Sequence, residues 1–333
     1  MERITTVDAH VAGEPLRVVV SGFPEPAGST MLERRRDAAE RYDHLRKVLV
    51  WEPRGHADMY GCVLTTPITA GAHRGVLFFH NSGFSTMCGH GIIGLVTVAL
   101  ETGMVPISSN SPTNVLLDTP SGLVSTWASV QDGRVRHVVF RNVPAFALSM
   151  DEIVEVPEVG KVRYDLAFGG AFYAICRAEE LGVPLVPAES RRLTDVGMAI
   201  KRTIVGQREI RHPIEPELGF LYGTIFVGPP QAPGASSRNV CVFADGAVDR
   251  SPTGTGVSAR LALSYARGEL KLGETCVVES IIGSRFTGRI AELTELGGCR
   301  AVIPEIEGAA YLTGRHEFLV DPEDPLREGF FLR

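Results

Sequence analysis

"NSGFSTMCGHGIIGLVTVAL", residues 81–100, sets a single cysteine, Cys88, between a polar turn containing glycine and an unbroken apolar helix. The helix reads to Gly103, a natural C-terminal glycine. A second stretch, "NVCVFADGAVDRSPTGTGVSARLALSYARG", has the same layout: strand, turn, small residue, G-x-G, helix, glycine. Cys88-Gly89-His90-Gly91 lines up with Thr253-Gly254-Thr255-Gly256, and the closing glycines, Gly103 and Gly268, keep the register (88 to 103 and 253 to 268). A match displaced by about half of a 333-residue chain reads as an internal repeat, two similar α/β domains that each present the N-terminus of a central helix.

Such helix starts have a use. The first turn of a helix leaves backbone N–H groups without intrahelical partners and carries about half a positive charge. Glycines let a ligand approach that backbone closely, so a carboxylate is well held there. The same field favours a thiolate over a thiol, which lets a cysteine at that position act as a base near neutral pH. Cys88 therefore reads as a proton acceptor beside an anion site.

The rest of the chain fits this reading. Its length exceeds one ordinary core and suits two domains of roughly 100–200 residues each. The division is expected at 185/186, giving domains 1–185 and 186–333, with the final strand free to return to the first. Apolar residues at 44% and charged residues at 22% describe a folded globular protein. A net charge of −6 with interspersed signs offers no basic face for nucleic acid. The first residues lack the apolar core of a secretory signal, and nothing approaches the ~20 apolar residues of a membrane span, so the expected location is the cytoplasm.

Six cysteines, Cys62, Cys88, Cys176, Cys241, Cys276 and Cys299, show no spacing that suggests zinc or another metal. Cys62, Cys176, Cys241 and Cys276 lie in apolar or strand-like runs and read as buried small hydrophobes. A helix is expected from Met31 to about Val48, opened by a Thr30/Glu33 capping box, with Arg34, Arg35 and Arg36 on a solvated face among acids. A strand is expected at about 75–80. Gly254-Thr255-Gly256 lacks the lysine and spacing of a phosphate-binding P-loop, and no cofactor is called for.

"SGFSTMCGHG" and "DRSPTGTG", together with "DAHVAGEPLR" at residues 8–17 and "EPRGHADMYG" at residues 52–61, resemble the proline racemase family. The matches span most of the chain. The resemblance implies a fold like diaminopimelate epimerase: two pseudo-symmetric α/β domains, each a curved sheet around a central helix, with the active site in the cleft between them. It implies a small imino-acid substrate and no cofactor. A homodimer is the one protein partnership left open.

The family's racemases and epimerases place one cysteine on each face of the substrate's α-carbon, one removing a proton and the other supplying one. Cys88 matches the first position, whereas the second is Thr253. A threonine hydroxyl is no base at neutral pH, so two-base chemistry is expected to fail. Within the family the threonine form resembles the dehydratase of trans-3-hydroxy-L-proline. There the hydroxyl and the α-proton share one ring face, and a single equipped face serves a syn elimination. Cys88 is expected to take the proton, with the thiol or His90 protonating the leaving hydroxide. Thr253 fills the far face or supplies a proton. The substrate carboxylate is expected on the N–H groups of Gly89, His90, Gly254 and Thr255, and the ring ammonium on Asp249. His10, Arg54 and His56 are weaker candidates. An epimerase or racemase needs a second base, and a non-catalytic imino-acid-binding protein would bind without turnover.

Overall fold

The computed structural model describes residues 2–109 and 112–332. The chain divides into two compact units, residues 1–140 with 308–333, and residues 141–307. These limits differ from the 185/186 division read from the sequence. The reason is strand pairing: residues 145–177 hydrogen-bond to strands near 221–228 and 301–302, far along the chain, and local composition does not announce such allegiances.

In the first unit, β1 (Glu2–Val11) pairs antiparallel with β2 (Glu14–Ser21), and β2 runs parallel to β3 (Tyr60–Thr65). β3 pairs antiparallel with β4 (Arg74–His80), which carries the short β5 (Gly83–Phe84). β4 is parallel to β6 (Thr113–Thr119), and β6 antiparallel to β7 (Gly122–Gln131). β8 (Arg134–Arg141) reaches the division between the units, and the last strand of the chain, β18 (Ala310–Val320), pairs with β1.

The second unit repeats this sequence of pairings. β9 (Ala145–Val156) pairs with β10 (Gly160–Phe168), which is antiparallel to β11 (Phe172–Arg177). β11 is parallel to β12 (Leu221–Gly228), β12 antiparallel to β13 (Ser237–Phe243), and β13 carries the short β14 (Ala247–Val248). β13 is parallel to β15 (Thr275–Glu279), which pairs antiparallel with β16 (Arg285–Leu296). β17 (Cys299–Gly308) then joins β16 to β9 and closes the sheet into a ring. The order antiparallel, parallel, antiparallel, parallel, antiparallel is the same from β1 to β7 as from β10 to β16. The internal repeat read from two helix starts thus extends to the whole topology.

Each sheet wraps a largely buried central helix. In the first unit this is α3 (Gly89–Glu101), buried along its length except at its last residue and packed on β1, β2 and β18. Gly94 brings it close to β2, since a Cβ there would stand 2.6 Å from Leu16 Cδ2. In the second unit it is α5 (Gly254–Ala266), packed on β9, β10 and β16. Gly103 and Gly268 follow the C-caps of α3 and α5 with φ of +77° and +72°, the left-handed turn that glycine adopts freely.

The outer helices are α1 (Met31–Arg41) and α2 (Asp43–Val50) in the first unit and α4 (Ser190–Gln207) in the second. The Thr30/Glu33 capping box is formed. The single helix expected from Met31 is instead broken at Tyr42, which leaves helical geometry at φ −124°, ψ 13° and packs its ring against Phe23. The arginine run is exposed at Arg36, as expected, but Arg34 and Arg35 also bond to other parts of the unit. Arg34 donates to Glu25 and to the backbone and hydroxyl of Thr66, and Arg35 donates to the carbonyl of Phe84. These side chains stitch α1 to the loops beside β3 and β5. No helix among the described residues is long and apolar enough to cross a membrane.

Candidate active site

Cys88 is the N-cap of α3, with extended backbone at φ −145°, ψ 112°. Its sulfur accepts the N–H of Gly91 at 3.2 Å and lies 3.2 Å from His90 Nδ1. With its proton on Nδ1, His90 donates to that sulfur as well. Two donors and the helix N-terminus converge on one atom, and all three favour negative sulfur. Gly91 is required by space: a Cβ there would meet Phe78 at 2.4 Å and Cys88 Sγ at 3.0 Å.

The polar turn before Cys88 is fastened from outside. Arg46 donates to the carbonyls of His80 and Asn81, and Trp51 Nε1 also donates to Asn81. Asn81 Nδ2 in turn donates to Val50. His90 is held from its other side by Tyr60, whose ring meets it edge-on with centroids 4.8 Å apart. The Tyr60 hydroxyl is paired with Ser85 Oγ at 2.6 Å. Tyr60 stood inside a motif quoted from the sequence, yet its spacing from Cys88 carried no signal of contact.

Within one of the other two motif segments an ion pair joins Arg17 to Asp8, and Arg17 also reaches the second segment at the carbonyl of Arg54. Arg17 Nε and Nη2 engage the Asp8 carboxylate, while Nη1 donates to the carbonyls of Leu49 and Arg54. Both side chains are buried, and the guanidinium also lies over the Phe318 ring. Asp8 and Arg17 therefore fix the loop that leads into β3 and Tyr60. The side chains of His10, Arg54 and His56 make their contacts elsewhere in this unit. His10 accepts from Gly13 and stacks on Tyr311, Arg54 reaches Arg327 and Asp324, and exposed His56 contacts the carbonyl of Ala57.

The second helix start is built differently. Thr253, at φ +67°, ψ 93°, does not cap α5 with its side chain. Its hydroxyl instead donates to Asp249 Oδ2 at 2.8 Å, and Asp249 Oδ1 accepts the N–H of Ser251 at 2.7 Å. Asp249, Ser251 and Thr253 are all buried. Asp249 is thus not a cap of α5; it closes a turn of its own. Thr255 Oγ1 pairs with the Tyr173 hydroxyl at 2.6 Å, and burial holds that phenol well above its ordinary pKa. Ser251 lies inside a motif singled out in the sequence, whereas no pattern there marks Tyr173.

Gly169 lets the chain pass over the first turns of α5. A Cβ there would stand 2.2 Å from the carbonyl oxygen of Thr255 and 2.5 Å from the nitrogen of Ala259, both backbone atoms that cannot swing aside. Gly169→Ala is expected to lower unfolding stability by about 2–3 kcal/mol through overpacking, read as a shift of the urea midpoint at unchanged slope.

Three of the remaining cysteines are held as inert filler. Burial pushes the thiols of Cys62, Cys176 and Cys276 above their ordinary range. No group of three His, Cys, Asp or Glu side chains among the described residues is arranged to hold a metal ion.

The family model for proline racemase matches residues 6–331. The chain belongs to the proline racemase family. It is 45% identical over 330 residues to a trans-3-hydroxy-L-proline dehydratase of Colwellia psychrerythraea, covering 99% of this chain and 93% of that protein. It is 44% identical over 335 residues to the human protein of the same name, covering 99% and 95%. Among solved structures it matches a hydroxyproline epimerase from Agrobacterium vitis, with bound trans-4-hydroxy-L-proline, at a TM-score of 0.94 and 33% identity, over 100% of this chain and 95% of that one. A probable proline racemase from Agrobacterium radiobacter gives the same TM-score at 32% identity, over 99% and 96%. The fold is accordingly the diaminopimelate epimerase-like fold of this family.

Proposed function

We propose that this chain is a cofactor-independent trans-3-hydroxy-L-proline dehydratase. The observation that carries the reading is the asymmetry of the two helix starts. Cys88 offers a thiol held by two donors at the N-terminus of α3, whereas the equivalent residue, Thr253, offers a hydroxyl already committed to a carboxylate. One position can take a proton from carbon and the other cannot. The names of the relatives at 44–45% identity support the same reading.

In this reaction the Cys88 thiolate takes the α-proton. The freed electron pair forms the C2–C3 double bond as the C3–O bond breaks, and the departing hydroxide leaves as water after protonation by the Cys88 thiol or by His90 beside it. The enamine then tautomerises to Δ1-pyrroline-2-carboxylate. Every bond made or broken is served by these side chains and the substrate itself. The carboxylate is held by the helix-start N–H groups of Gly89, His90, Gly254 and Thr255, which also stabilise charge building up as the proton leaves. Asp249 receives the ring ammonium. Six cysteines without the spacing of a disulfide framework suit a reducing, cytoplasmic setting.

The rival within the family, a 4-hydroxyproline 2-epimerase or proline racemase, has the solved epimerase relative on its side but lacks a second base. Incubation with trans-3-hydroxy-L-proline, trans-4-hydroxy-L-proline and L-proline in D₂O, followed by proton NMR, separates the readings. Loss of the 3-hydroxyl from the first compound alone is the expected result. Inversion or full α-deuteration of the other two without dehydration would replace the dehydratase by an epimerase, and binding without any turnover would leave a non-catalytic protein.

A further inference from the structure

Between Asp249 and Thr253 the side chains of Asp249, Ser251 and Thr253 are bonded to groups of their own segment. The Asp249 N–H is anchored on the Cys241 carbonyl at 3.0 Å. Its carboxylate takes the Ser251 N–H on one oxygen and the Thr253 hydroxyl on the other, and Ser251 Oγ accepts the Thr253 N–H at 3.1 Å. Within this frame Thr253 sits at a φ of +67°, where a β-branched residue is strained, while its counterpart Cys88 sits in ordinary extended backbone. The strained conformation turns the hydroxyl away from the helix N–H groups. Threonine is among the preferred capping residues, so a cap is forgone in order to reach the carboxylate.

A hydroxyl has one proton, and here it points at Asp249. Passing that proton to a leaving hydroxide would create an alkoxide 2.8 Å from a carboxylate, at a place where Thr253 and Asp249 are only 6% and 4% exposed. Two like charges so close in a buried setting disfavour that step. The same bond is well suited to another task. A carboxylate accepts about four hydrogen bonds. Two are occupied from within the segment, which fixes the direction of the remaining lone pairs before any ligand arrives.

We infer that Thr253 and Ser251 are positioning residues that act through Asp249, presetting its carboxylate for the ring ammonium of the substrate, and that Thr253 moves no proton at the substrate. This deepens the dehydratase reading and rests on it for the identity of the cation.

The test uses the full chain with Cys88→Ser, in which trans-3-hydroxy-L-proline can be bound without turnover. Its affinity is compared by calorimetry with that for pyrrole-2-carboxylate, which keeps the carboxylate and ring but has no ammonium. Adding Thr253→Val is expected to weaken the hydroxyproline at least about 10-fold and the pyrrole less than about 3-fold, a gap of about 0.7 kcal/mol or more. Adding Thr253→Ser, which keeps the hydroxyl, restores the affinity. In the otherwise native chain Thr253→Val raises KM and leaves kcat within about 3-fold. Equal weakening of both ligands, or a kcat loss of about 100-fold with affinities unchanged, would overturn the inference. Should Thr253→Val fail to fold, Ser251→Ala is read the same way. A native chain that binds trans-3-hydroxy-L-proline yet never dehydrates it would overturn the dehydratase reading, and the affinity split would still decide this one.

Discussion

Cys88→Ser is expected to reduce dehydration of trans-3-hydroxy-L-proline by at least about 1,000-fold while leaving the fold intact. General-base catalysis is worth about 10²- to 10⁴-fold, and serine supplies a hydroxyl whose anion is far too unstable to form at neutral pH, so the upper half of that range applies. Stability separates from activity at this position for a specific reason. The Cys88 sulfur caps α3 by accepting the Gly91 N–H, and a serine oxygen performs the same task, being one of the best N-caps. The thermal midpoint should therefore stay within a few degrees while turnover vanishes, a combination that a merely structural cysteine would not give. Proton NMR of the substrate in D₂O reads both loss of the 3-hydroxyl and exchange at the α-carbon. Retention of more than about a tenth of native turnover by a folded variant would mean that another group takes the proton.

This outcome turns on a residue that the sequence made conspicuous, and the reason for that legibility is local. A cysteine before G-x-G at the head of an apolar helix is defined within about ten residues, and the periodicity that marks α3 as central is equally local. The repeat was legible because both copies keep the same punctuation, down to the glycines at 103 and 268. What escaped depends on pairing at a distance. β9 to β11 join the second sheet through β12 and β17, and no residue between 141 and 185 states this. Tyr60 reaches His90 across 30 residues of chain, and Tyr173 reaches Thr255 across 82. The arginine run is legible only in part: acids flank it in sequence and Arg36 is exposed, whereas Arg34 and Arg35 also spend donors on carbonyls from elsewhere in the fold. Thr253 was recognised as the deciding substitution, but a hydroxyl reads as spare until the strained backbone that turns it onto Asp249 is seen.

Thr253→Cys is expected to add what the native chain lacks, inversion at the α-carbon. The space is available: threonine gives up both Oγ1 and Cγ2, and a single sulfur replaces them. Asp249 then sets the protonation state. A carboxylate within hydrogen-bond reach disfavours a thiolate, so the introduced sulfur rests as a thiol, the form needed to donate a proton to the carbanion that Cys88 generates on the other face. L-proline and trans-4-hydroxy-L-proline, which cannot eliminate a 3-hydroxyl, should then exchange their α-proton for deuterium with inversion, at least about 100-fold faster than with the native chain. Adding Cys88→Ser should abolish this gain, because inversion needs both partners. The S–H group is also a weaker donor than the hydroxyl it replaces, so KM should rise as Asp249 loses its fixed bond, in line with a positioning role for Thr253. A folded Thr253→Cys variant without α-exchange above the native rate would show that position 253 does not address the α-carbon, and the chemical asymmetry of the two helix starts would no longer explain why this chain is a dehydratase.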